Sequence, residues 1–135
     1  MLKVLLFIWQ LPQCLTGFIW TRFTKDKKVI EGIPVWFTKC FRAGVSLGEY
    51  IILDLVYKSV GPIHLAKTVK HEYGHTKQSR MLGVLYLIVV GIPSATRNVI
   101  DRIFHKNWSY EKSTKWYYGH YPENWADKLG GVKDR

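Results

Sequence analysis

His71 and His75 stand four residues apart in His71-Glu72-Tyr73-Gly74-His75, a separation that puts both imidazoles on one face of a helix. Two imidazoles so spaced supply two nitrogen ligands to a divalent metal ion, zinc above all. The chemistry that follows is hydrolysis, because a water held by zinc becomes acidic near neutral pH. Glu72 projects from the edge of the ligand face, where its carboxylate can take the proton from that water and pass it to a leaving amine. At ordinary residue frequencies, roughly one random chain of this length in a few hundred carries such a pentapeptide by accident. The pattern therefore needs support from elsewhere in the chain.

A catalytic zinc ion takes three protein ligands and keeps a further position open. Glu123-Asn124-Trp125-Ala126-Asp127 places two carboxylates four residues apart, on one face of a second helix. One of them, Glu123, can bind the ion. The other, Asp127, can accept the second N–H of a ligating histidine and so fix its tautomer and ring orientation. Asp101 is the runner-up for third ligand, but no carboxylate follows it four residues on. His64, two helical turns before His71, and His105, which has no ligand-spaced partner, read as surface histidines. Gly74 reads as a steric residue whose missing side chain lets another element approach the metal helix.

Taken together, His71-Glu72-Tyr73-Gly74-His75 and Glu123-Asn124-Trp125-Ala126-Asp127 resemble the HExGH plus ExxAD pair of gluzincin metallopeptidases. They are especially similar to the motifs of the CaaX prenyl-protease and heat-shock membrane-peptidase families and of the small soluble minigluzincins. Both motifs in this order arise by chance on the order of one time in ten thousand. The resemblance implies a zincin-like α+β fold and one catalytic zinc ion held by His71, His75 and Glu123. It also implies Glu72 as general base, Asp127 as support for the site, and a zinc-dependent metalloendopeptidase that hydrolyses bonds in a peptide or protein substrate.

Gluzincins commonly carry a tyrosine or histidine after the ligand helix to stabilise the oxyanion, yet residues 128–135 contain neither. Tyr117, Tyr118, His120 and Tyr121 lie just before that helix, and Tyr118 and His120 are the foremost candidates for the role. The competing reading is plain aromatic packing.

These residues must be positioned by a scaffold. Residues 29–55 are β-branched and aromatic runs punctuated by Gly32, Gly44 and Gly48, which predicts a small antiparallel sheet packed on the two site helices. Within it, residues 43–50 are a candidate edge for an extended substrate to pair with. Helical texture resumes after Gly61-Pro62, runs through both histidines and weakens at Gly83. Residues 82–92 are too short a run for a transmembrane helix and predict a buried core helix before Pro93. Ser94 is placed to cap a following helix through Phe104, while residues 107–120 are aromatic and polar without clean periodicity. Pro122 starts a short final helix that Gly130-Gly131 stops.

The first 22 residues predict an apolar N-terminal helix, packed on the domain or lying at a membrane interface. Pro12 breaks the run and no small-residue cleavage site follows, so the sequence predicts a cytoplasmic or membrane-associated protein without a cleavable signal.

A chain of 135 residues is long enough for one domain and too short for two of ordinary size. With 47% hydrophobic and 15% aromatic residues, it has the material for a packed core. Twenty basic against ten acidic side chains give a formal charge of +10 and predict attraction to anionic partners such as an acidic membrane surface. Nucleic acid is an improbable partner, since the basic residues are scattered and only Lys25-Asp26-Lys27-Lys28 approaches a cluster. Cys14 and Cys40 form no CxxC pair and predict two buried thiols. Two other readings stand beside the peptidase. One is a noncatalytic zinc-stabilised domain that binds a partner or an anionic membrane; the other is an integral membrane peptidase with hydrophobic hairpins at residues 1–20 and 82–100.

Overall fold

The computed structural model describes every residue except Phe41. Two short helices, α1 (Leu2–Trp9) and α2 (Leu11–Thr21), precede a four-stranded sheet of β1 (Asp26–Ile30), β2 (Ile33–Thr38), β3 (Gly44–Leu47) and β4 (Tyr50–Asp54). The long helix α3 (Pro62–Leu82) follows. Beyond a 3-10 turn at Gly83–Leu85 and a π-helical turn at Leu87–Gly91 come α4 (Ile92–Phe104), α5 (Tyr110–Gly119) and α6 (Glu123–Gly130). The α+β class predicted from the sequence is the class observed.

The predicted antiparallel sheet is in fact mixed. Its order is β1-β2-β4-β3, with β1–β2 and β3–β4 antiparallel and β2–β4 parallel, Val35 opposite Ile51 and Phe37 opposite Leu53. Each antiparallel pair is a local hairpin. Glu31 and Gly32, both at positive φ, close the first, and Gly48, at φ +64°, turns the second. Hairpin turns are written in short-range sequence, whereas the direction in which one hairpin docks on another is not. Val35, Phe37, Ile51 and Leu53 share one face, as the two-residue period of a strand requires, and pack with Val69 of α3 to form the core. On the other face Trp36 packs against Tyr50, which also meets Phe18 of α2.

Helix α3 starts with proline in its first turn and ends at Gly83, whose φ of +55° a side chain would strain. Its buried face is largely polar: His71, Glu72, His75, Thr76, Gln78 and Ser79 are all buried. Those groups are placed by partners. The Ser46 and Thr76 hydroxyls meet at 2.8 Å and tie the edge strand β3 to α3, while Arg80 grips Glu49 in the β3–β4 turn through two bonds of 2.8 and 2.6 Å.

Several expectations for the flanking segments change. The N-terminal stretch is two helices, bent by 104° at Gln10, and not one. The residues predicted as a buried core helix, 82–92, form irregular turns that bury only Gly83, Tyr86 and Val90 and leave Val84, Leu85, Ile88, Val89 and Ile92 exposed. Ser94 lies inside a helix that already starts at Ile92, so it caps nothing. Residues 110–119 are helical, with Ser109 as the cap that accepts from Lys112 N–H. Cys14 is buried as expected, but Cys40 is exposed.

Candidate metal centre

Helices α3 and α6 cross antiparallel at a distance only glycine permits. A Cβ on Gly74 would fall 1.9 Å from the Ala126 carbonyl oxygen, and one on Gly130 would fall 1.9 Å from the Lys70 carbonyl oxygen. This crossing brings the first turn of α6 over the two histidines. α6 is held at its other end by a Schellman stop, in which Gly131 adopts the left-handed conformation and Val132 N–H reaches Asp127 O.

At the crossing His71, His75 and Glu123 are buried together, and their ligand atoms lie within 4.8 Å of one another. His71 Nε2 and His75 Nε2 sit 3.0 and 3.1 Å from one and the same oxygen, Glu123 Oε2. In a tetrahedral site with metal–ligand bonds near 2.05 Å, ligand atoms are about 3.3 Å apart. The observed nitrogen–oxygen separations come close to that value before any metal is considered. The second carboxylate oxygen, Oε1, accepts from the Ser94 hydroxyl, which leaves Oε2 to face the histidines.

The tautomers follow from the outer contacts. His71 Nδ1–H donates to Asp127 Oδ1 at 2.7 Å, and Arg135 pairs with both oxygens of that carboxylate at 2.9 Å. His75 Nδ1 lies 2.8 Å from Gln78 Oε1, and the other end of the same amide donates to Pro122 O at 3.2 Å. With its nitrogen committed to a carbonyl, the Gln78 amide must turn its oxygen to His75, so His75 carries its proton on Nδ1. With Nδ1 engaged outward, both rings present Nε2 to the centre, the arrangement a metal-ligating histidine needs once that nitrogen gives up its proton. Two imidazoles and a carboxylate with fixed orientations fit a divalent metal ion such as zinc.

Burial would lower the His71 pKa, but the hydrogen bonds to Asp127 and Glu123 outweigh it and raise the ring to about 9. Burial works against charge on Glu123 as well, and there the bonds from His71 and His75 prevail and hold the carboxyl well below the usual range. Glu72 has no such bonds. Burial pushes its pKa up, with only partial relief from the two neighbouring histidines.

A cavity of about 690 Å³ opens on this centre. His71, Glu72, His75 and Glu123 stand on its wall beside Gly44–Leu47 of β3, with Tyr86 and Tyr117 also lining it. Glu72 Oε1 would lie 2.6 Å from a Cβ on Gly44, so that glycine makes room for the carboxylate.

The structure thus gathers His71, His75, Glu72, Glu123 and Asp127 at one place. Tyr118 is adjacent, its ring edge-on to His71 at 5.0 Å between centroids, but the Arg135 guanidinium covers that ring at 3.4 Å and Tyr118 is not in the cavity wall. His120 is exposed and its Nδ1–H donates to Trp116 O at 2.6 Å, away from the centre. Asp101 is engaged by His105 and Ser113, and His64 is exposed. Sequence reasoning missed Gln78, Ser94, Tyr86 and Arg135. Of these only Gln78 had a visible signal, its position one turn after His75 on the ligand face.

No protein-family model matches this chain, and neither a curated protein nor a solved structure is significantly similar to it.

Proposed function

We propose that this protein is a zinc-dependent metallopeptidase of the gluzincin type. The observation that carries the reading is Glu72: a buried carboxylate on the cavity wall, beside the two histidines and against the edge strand, where a purely structural metal site has no use for it.

When bound, a zinc ion supplies Lewis acidity for the attack of water on an amide carbonyl. His71, His75 and Glu123 would hold it. Asp127 and Gln78 keep the imidazoles in register, with Arg135 steadying Asp127. Glu72, whose pKa burial raises, takes a proton from water at its carboxylate and delivers it to the departing amine nitrogen. Tyr117 is better placed than Tyr118 or His120 to donate to the developing oxyanion, because it lines the cavity beside Glu123. An extended peptide pairs along β3, an edge strand whose residues Gly44–Leu47 form the cavity wall.

The test is Glu72→Gln, assayed beside wild type on a peptide library with zinc content measured in parallel. Hydrolysis should fall about 10²–10⁴-fold while zinc content and unfolding midpoint stay unchanged. If wild type cleaves nothing and Glu72→Gln binds zinc equally well, the chain is a noncatalytic zinc-stabilised domain.

A further inference from the structure

Helix α2 turns most of its large apolar side chains away from the protein, although Phe18 reaches Tyr50 and Trp20 reaches the cavity. The face it packs on the domain consists of Gln13, Cys14 and Gly17, all buried, while Leu11, Leu15, Phe18 and Ile19 are exposed. A helix on the surface of a water-facing domain has the opposite arrangement. Polar contacts fix this orientation, since the Gln13 amide donates to Ser79 Oγ at 3.0 Å and to Gly83 O at 2.7 Å. Helix α1 buries no residue at all, and its Ile8 is 60% exposed.

The apolar surface continues across the chain. A Cβ on Gly83 would fall 2.3–2.6 Å from three atoms of the Trp9 indole, whose Nε1–H donates to Arg80 O. Past that junction Leu85, Ile88 and Ile92 are exposed, Ile88 to 64%. Two segments far apart in sequence therefore present one apolar surface of the kind that marks an interaction site.

Charge and length indicate what covers it. Residues 1–25 and 81–100 contain no aspartate or glutamate, but they do contain Lys3, Arg22, Lys25 and Arg97. Apolar segments that carry cations and no anion of their own, with the neighbouring Glu49 carboxylate neutralised by Arg80, complement an anionic phospholipid surface. Among the described residues no single helix is long and apolar enough to cross a membrane; α1 and α2 pass that test only together, and they are bent by 104°. Eight- and eleven-residue helices measure about 12 and 16 Å, against a hydrocarbon core of about 30 Å.

We propose that α1, α2 and Gly83–Ile92 dock on an anionic phospholipid bilayer and insert their apolar side chains into one leaflet. Thr16 and Trp20 of α2 and Leu87 and Ile92 of the second segment also line the cavity, so the docked protein holds its cleft against the lipid surface. Docking does not depend on the peptidase reading.

The purified chain is mixed with phosphatidylcholine vesicles containing about 30 mol% phosphatidylglycerol and floated through a density gradient. The wild type should float about tenfold more with these vesicles than with pure phosphatidylcholine, and should stay with them in about 1 M NaCl. Ile8→Asp/Ile88→Asp should lose about nine-tenths of that flotation at unchanged unfolding midpoint and zinc content. The milder Ile88→Ser should lose about half. Four results would overturn the proposal: no flotation of the wild type, complete release by salt, undiminished flotation of both variants, or a vesicle-free dimer that Ile8→Asp/Ile88→Asp splits into monomers. That last outcome assigns the face to a second copy of the chain.

Discussion

Gly74 of α3 lies so close under Ala126 of α6 that a methyl group on Gly74 would fall 1.9 Å from the Ala126 carbonyl oxygen. The obstacle is backbone, so no side-chain rotation can relieve it. Because Glu123 is one turn before Ala126, this contact also sets the height of the third ligand above His71 and His75.

Gly74→Ala should therefore destabilise the fold by about 1–3 kcal/mol and lower bound zinc with it. Denaturant unfolding and metal analysis of the same preparation measure both. A variant with wild-type stability and full zinc would mean that the two helices are not held this closely.

The identity of the third ligand separates Glu123 from Asp101. Glu123→Ala should leave the protein nearly free of zinc after dialysis, whereas Asp101→Ala should retain the wild-type amount, because Asp101 is engaged elsewhere by His105 and Ser113. Equal zinc in wild type and Glu123→Ala would remove Glu123 from the site.

Gln78 and Asp127 each fix one imidazole through Nδ1. Gln78→Ala and Asp127→Ala should each weaken zinc affinity about 10–100-fold, as read by competition with a chromogenic chelator. Asp127→Ala also strips Arg135 of its partner, so its unfolding midpoint should drop further than that of Gln78→Ala. No change in affinity for either variant would show that the rings are oriented by packing alone.

The stabilisation conferred by zinc should grow with pH. Burial opposes the shift, but the bonds to Asp127 and Glu123 raise the His71 pKa from 6.5 to about 9. A raised histidine stabilises the metal-free fold fully below its unfolded pKa of about 6.5 and loses that contribution as pH rises through about 9. Metal uptake requires the same Nε2 to give up its proton. The two effects act together, so the zinc-dependent gain in unfolding midpoint should be larger at pH 8.5 than at pH 6.5. An equal gain at both would place the His71 proton elsewhere.

The site helices were legible because their signals are local. Pro62 and Gly83 bracket α3, Pro122 and Gly131 bracket α6, and the i,i+4 pairs His71/His75 and Glu123/Asp127 announce one face each. The segments that were misread lack such signals. Residues 83–92 are as apolar as any core helix, and composition alone does not say whether an apolar run faces the interior or the outside. Residues 110–119 mix aromatic and polar groups on all sides, which hides their helical period.

By itself the sequence determined which atoms are available for metal chemistry and which elements carry them, since a four-residue spacing on a helix leaves little freedom in where two side chains point. Only the tertiary structure decided the rest. The parallel docking of the two hairpins, the glycine-cut crossing that puts Glu123 Oε2 on both imidazoles, the Gln78 amide fixed at both ends, and the outward turn of α2 all join residues distant along the chain. Such contacts are set by packing and by the need of every buried polar group for a partner, and neither is encoded in any local stretch of residues.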